Sequence, residues 1–311
     1  MRCTLVSLRC MVVVAFILSF SACAVLTTSQ VQEVKRFSQV TDAYTELPGE
    51  LIRSYGELER DSALLALSRK EFSTKNIEDT AEAWNKIEGA YKSEHNLDAL
   101  GKRMDSALAV LKVYSEILNQ LVSDDYTDAL GESSANLGKS LNSATDEYNK
   151  KYGSTNPLPS VGGNIAETIR LSGGLYIRYR QTKILRETIV KANPLIQSLM
   201  KDVEDIASKM ETNFKESENT HIETPFKQMA ERSGRLPVTT LMFVYNDLYR
   251  ARSGQELANK VGEAAKTYSN AHKELVDKTR KRMNLKEMIA EIQTLQSEVN
   301  EAKDIKAKLE K

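Results

Sequence analysis

Cysteine is absent after residue 23, because Cys3, Cys10 and Cys23 are the only three in 311 positions. From residue 24 onward the chain has neither a disulfide nor a nucleophilic thiol to offer. Proline and glycine are scarce, at 6 and 14, a composition that disfavours turn-rich sheets and favours long helices. Charge of one sign is missing as well. The 43 basic and 43 acidic residues cancel, so nothing electrostatic points to nucleic acid as a partner. Beyond the first 26 residues no apolar run exceeds five, far from the ~20 that a spanning helix needs.

Catalytic signatures are equally thin. The chain contains no Gly-x-Ser-x-Gly, no Gly-x-x-x-x-Gly-Lys and no Gly-x-Gly-x-x-Gly, which leaves no sequence support for a serine hydrolase elbow, a phosphate loop or a dinucleotide fold. His95, His221 and His272 are the only histidines. Glu218 and His221 have the spacing that puts a carboxylate and an imidazole on one helical face. A di-iron bundle needs two such motifs and two further carboxylates, and one copy cannot fill a coordination shell. We expect no enzyme, no metal and no cofactor.

What is present begins at the N-terminus. Arg2 and Arg9 precede the apolar run Met11 to Leu18, and Ser19-Phe20-Ser21-Ala22-Cys23 closes it with small residues and a cysteine. That is the layout of an export signal. It resembles the lipobox leader of bacterial lipoproteins, with Phe20 where leucine is usual. The resemblance implies cleavage before Cys23, lipidation (palmitate among the acyl groups) of its sulfur, and Ala24 as the following residue, a pattern similar to lipoproteins passed to the outer membrane and facing the periplasm. The alternatives are a secretory signal cut after Ala24 and an uncleaved anchor, for which Cys10 to Leu26 supplies only 17 residues. Acyl chains contribute about 0.8 kcal/mol per buried methylene, enough for a multiply acylated cysteine to hold a domain to a leaflet.

The organisation we expect is a signal peptide at 1–22, a tether at 23–30, an N-terminal helical half at 31–152 and a C-terminal half at 161–311. Val31, Val34, Phe37, Val40 and Tyr44 fall at helical spacing, and Pro48 ends or kinks that helix. Leu51 to Leu67 resumes the period. From Asn76 to Ser123 the pattern through Trp84, Ile87, Tyr91 and Leu97 is helical, with a turn expected at Lys92 to Asn96. Gly153 to Ser160, with Pro157 and Pro159, breaks the chain outright. A helix is then predicted from about Ile165 to Ala192, stopped by Asn193-Pro194 and kinked or closely crossed at Gly173-Gly174. A bend is predicted at Thr224-Pro225. Leu241-Met242-Phe243-Val244-Tyr245 is five apolar residues in a row, more than one helical face needs, which predicts burial on all sides within the bundle, with docking of a partner as the alternative. From Leu285 the positions Met288, Ile292, Leu295, Val299 and Ala302 alternate three and four, a coiled-coil-like seam open to packing within the chain or between chains.

One charge bias stands out. Arg170, Arg178, Arg180, Lys183 and Arg186 form a run with no acid between them, suited to an anion pocket or to phospholipid headgroups. The simpler reading is a solvated face, neutralised by Asp202, Glu204 and Asp205 across a turn at Pro194. Lys278 to Arg282 is a second, shorter run. The whole predicts an all-α, elongated antiparallel bundle with a coiled-coil-like last helix. The expected role is a lipid-anchored structural or interaction protein of the cell envelope, with the membrane and an unidentified protein as partners. A helical small-molecule or anion binder at Arg178 and Arg180, or a membrane-active protein resembling the α-helical pore formers, are the rival expectations.

Overall fold

The computed structural model describes residues 28–68, 77–123, 128–152, 157–171, 177–233, 236–280 and 285–309. The leader, Cys23, Gly173-Gly174 and residues 281–284 lie outside these. Every regular element among the described residues is helical: α1 (Thr28–Tyr44), α2 (Leu47–Ser68), α3 (Ile77–Leu121), α4 (Asp128–Tyr152), α5 (Gly162–Leu171), α6 (Ile177–Ser217), a π-helical turn (Glu218–Glu223), α7 (Thr224–Ser233), α8 (Val238–Arg280) and α9 (Leu285–Leu309). Length sets the shape. At 1.5 Å per residue the 45 residues of α3 span about 68 Å.

The side chains show how the rods are registered. Ser38 meets Ser115, Arg53 meets Asp105 and Arg60 meets Glu94, so α1 and α2 run one after the other, antiparallel to α3. Thr41 meets Tyr268, Tyr44 meets Val261 and Arg250 pairs with Asp61, which makes the same two helices antiparallel to α8. Asn193 with His272, Gln197 with Ser269 and Glu218 with Arg252 set α6 antiparallel to α8. Glycine allows the closest approaches. A Cβ at Gly101 would lie 3.1 Å from the Gly49 carbonyl, and one at Gly254 would run into the ring of Phe214.

One core runs through the molecule and joins residues on both sides of Pro157, from Phe37, Leu108 and Tyr114 to Val203, Val261 and Tyr268. Helix α4 folds back on α5, where Asn149 holds the backbone of Leu158 from both sides, at 2.7 and 2.8 Å. The terminal seam packs within the chain: Ile292, Leu295, Val299, Ala302 and Ile305 are all buried, and α9 lies along α8 with smaller contacts to α1 and α2.

Several breaks expected from local composition do not occur. Lys92 to Asn96 is not a turn but part of an uninterrupted α3, whose polar face is laced by pairs one turn apart, Glu82 with Lys86, Glu88 with Lys92 and Asp98 with Lys102. Helix α6 begins at Ile177 and runs through Pro194 to Ser217, so the helix expected over 165–192 is two elements and its stop is absent. Pro194 is exposed, where water can satisfy the carbonyl that a proline leaves without a donor. With no turn there, Asp202 stands about 24 Å along the same helix from Arg186, and the acids at 202–205 do not fold back on the cationic run. At Pro225 the chain stays helical through the π turn, in which Thr224 donates both its backbone N–H and, at 2.8 Å, its hydroxyl to the Asn219 carbonyl. Pro48 opens α2, a position where its missing N–H costs nothing.

Candidate functional site

The antiparallel register brings three segments to one end: the last turns of α2, the first third of α3 and the first turns of α8. Helix α2 lies between the other two, since it packs on both and they do not pack closely on each other. This end holds all the large hydrophobic side chains that are exposed among the described residues: Leu64, then Trp84, Ile87 and Tyr91, then Val238, Leu241, Met242, Phe243, Tyr245 and Tyr249. Burial of Leu241 to Tyr245 was the expectation, and it is corrected here. Val244 faces inward, while Met242, Phe243 and Tyr245 are 61%, 60% and 66% exposed. Trp84 and Tyr91, at positions whose spacing reads as core, are exposed as well.

Between α2 and α8 the end opens into a groove of about 350 Å³, lined by Asp61, Leu64, Leu65, Phe243, Asn246, Asp247 and Arg250. Part of its polar lining is ion-paired. Asp61 accepts from both Arg250 and Arg60, and Arg60 reaches on to Glu94 of α3 at 2.6 Å. This partly exposed ion network links α2, α3 and α8 beside the apolar side chains.

The middle of the bundle is the opposite case, with polar groups sealed inside. His272 is fully buried, with Nδ1 3.1 Å from the Asn193 Oδ1 and Nε2 2.9 Å from the Tyr114 hydroxyl. An amide oxygen only accepts, so Nδ1 carries the proton and Nε2 accepts from Tyr114. Burial holds the imidazole neutral and lowers its pKa to about 3, and it raises those of Tyr114 and Tyr268. The side-chain polar atoms of Tyr114, Asn193, Tyr268 and His272 are bonded, so the cluster ties α3, α6 and α8 together.

The residues singled out from the sequence are dispersed. Arg170 and Lys183 are exposed and Arg186 is half-buried. Arg178 and Arg180 belong to the first turn of α6, at the end of the molecule away from the apolar face, as shown by the 2.9 Å bond from Gln181 to the carbonyl of Ser123. Glu218 is taken by Arg252 and Gln255, and His221 is exposed. Among the described residues no group of acids, histidines or cysteines could hold a metal ion, and no helix is long and apolar enough to cross a membrane. Compared with family models, curated proteins and solved structures, the chain matches none.

The apolar end was missed as a surface because apolar periodicity reports only that a residue avoids water in some setting. Five apolar residues in a row at 241–245 leave burial and a partner both open, and the neighbours that decide between them are not visible in the sequence.

Proposed function

We propose that the protein is a lipid-anchored, non-enzymatic interaction protein of the bacterial cell envelope, tethered through Cys23 at one end and presenting an apolar docking face at the other. The observation that carries this reading is polarity along the rod. Ser38 stands opposite Ser115, so Thr28, the start of α1, lies at the level of the C-terminal end of α3. Trp84 lies about 55 Å from that level along α3. The exposed hydrophobic side chains therefore cluster at the end remote from residue 28, which follows the anchoring cysteine by five positions. Hydrophobic side chains exposed in a cluster, rather than scattered singly, mark interaction surfaces.

The start of α6 at the tethered end supports reading Arg178, Arg180 and Lys183 as groups that meet phospholipid headgroups rather than as walls of a pocket. On this proposal the acyl chains supply attachment, the cations orient the rod, and the outer-membrane leaflet facing the periplasm is the surface it stands on. Mass spectrometry of the mature N-terminus tests the anchor: an acylated Cys23 is expected, and an unmodified terminus at Val25 contradicts it. Photocrosslinkers placed at Tyr245 and at Lys139, an exposed residue of α4, test the polarity. Adducts concentrated at Tyr245 are expected, whereas equal or greater capture at Lys139 overturns the reading.

A further inference from the structure

We infer that the occupant of the apolar end is a single amphipathic helix with basic flanks, laid along α8 as an in-line continuation of α9; this rests on the reading of that end as a docking face. The position follows from the azimuth of side chains on a long helix. Helix α9 is held against α8 where Lys260 pairs with Glu301 and Thr267 bonds Glu298, both at 3.0 Å, and Glu263 shares Lys260. Being antiparallel, α9 reaches Leu309 roughly two turns past Glu301.

Met242 and Tyr249 precede Lys260 and Thr267, which bond α9, by about five full helical turns and so share their azimuth, and Tyr245 stands in the same relation to Glu263 at the exposed edge of that side. The side of α8 that α9 covers thus continues beyond it, uncovered, and there it changes from polar to apolar. The neighbouring rod repeats the relation. Ile87 and Tyr91 precede Asp105 and Ala109 by about five turns, and Asp105 and Ala109 line a hollow with Lys306 of α9. Trp84, Ile87 and Tyr91 on α3, Leu64 on α2 and the α8 stripe therefore floor one trough, and α9 already fills its other half.

Dimensions and charge select the occupant. Val238 to Tyr249 covers about 17 Å, three turns, which a helix of about 12 residues matches. The five exposed aromatic side chains leave on the order of 500 Å² in water, and the aliphatic ones extend the face toward the ~800 Å² per partner of a standard interface. Of the described carboxylates in 57–67, 79–94 and 238–250, Asp61, Glu82, Glu88 and Glu94 pair with the four cations Arg60, Lys86, Lys92 and Arg250, Glu59 bonds Ser217 and Asp247 is buried, which leaves Glu57 and Asp79 as the acidic excess. That excess disfavours an anionic bilayer and a second copy of the same face, and it matches a segment carrying lysine or arginine beside its apolar stripe.

The test is photocrosslinking of the full-length chain in its own envelope, with p-benzoylphenylalanine at Met242, Tyr245 and Tyr249 in turn and the captured peptide sequenced. The expected result is one segment, contacted at successive positions three or four apart, with helical apolar periodicity and net positive charge. Capture of residues 238–249 of a second copy, of phospholipid, or of a non-helical or acidic segment overturns the inference while leaving a docking face in place. No adduct from any of the three sites overturns the docking face too. Titrating the captured segment, synthesised as a peptide, against the chain with the emission of Trp84, the only tryptophan, gives the second readout. A blue shift is expected, and binding weakens about tenfold or more in Met242→Glu/Tyr245→Glu while the urea midpoint stays unchanged; unaltered affinity in that variant contradicts the proposed seat.

Discussion

Helix α8 is two different helices joined end to end. From Gly254 to Val276 its inner face packs against α1, α6 and α9 while Glu256, Asn259, Lys266 and Lys273 face water, and its Tyr268 and His272 are fully buried with bonded polar atoms. From Val238 to Arg250 the same helix is more apolar on its outer side than on much of its inner side, with Val238, Met242 and Tyr245 facing water. The difference teaches that composition along one helix tracks the neighbours it has. Where the neighbours are present, aromatic side chains stabilise the fold; where they are missing, the same residue types cost nothing to the fold and are available to another molecule.

Substitutions ought to separate the two halves sharply, and the largest effect belongs to the enclosed one. Tyr268→Ala removes a buried ring that stacks near Phe37 and Tyr44 and bonds Thr41, and a loss of about 3–5 kcal/mol in urea unfolding is expected. Gly254→Ala comes next. Its Cβ would enter the space of the Phe214 ring, and overpacking of this kind costs about 1–3 kcal/mol, read as a lower urea midpoint.

Acid gives a graded version of the same contrast. The His272 pKa is lowered to about 3 in the folded chain, against ~6.5 when unfolded. The unfolded state alone takes up that proton between these values. Stability contributed by the neutral imidazole is therefore whole above about pH 6.5 and falls as pH drops toward 3, by at most about 1.4 kcal/mol per pH unit. His272→Gln should flatten the stability–pH slope in that window, measured by urea melts at matched pH; an identical slope in the variant would contradict the buried neutral form. The smallest effect is at the uncovered half. Tyr245→Ala should change stability by no more than about 0.5 kcal/mol, and a larger loss would mean the outer face of α8 is packed within the chain.

The sequence makes the helical class legible because it depends on a periodic signal that tertiary structure reinforces: Val34, Phe37, Val40 and Tyr44 read as one face and are buried as one face. Breaks were less legible. Lys92 to Asn96 looks like a turn only when its neighbours in space are ignored; Glu88 and Arg60 supply the partners that let a polar stretch remain helical. Pro194 looks like a stop because a proline removes a donor, but a solvent-facing position on a 41-residue helix held along most of its length by α8 tolerates that loss. The exposed apolar end was hidden for a different reason. Leu241 to Tyr245 and Leu108 to Leu111 are alike as strings, and only the register of α2 between α3 and α8 shows that the large side chains of the second are buried while most of those of the first are not. The polar cluster at His272 was equally silent, since its partners Tyr114 and Asn193 are far away in sequence.

Cysteine scarcity makes the decisive measurement simple. With Cys23 acylated, Tyr245→Cys carries the only free thiol of the mature chain, and Lys303→Cys, on the exposed side of α9, is its control. Maleimide labelling rates are compared between the purified chain and intact envelopes. The account predicts that position 245 reacts readily in isolation and is protected about tenfold or more in the envelope, while position 303 reacts alike in both. Equal rates at position 245 in the two settings would contradict it, because the apolar end would then stand bare where the protein works.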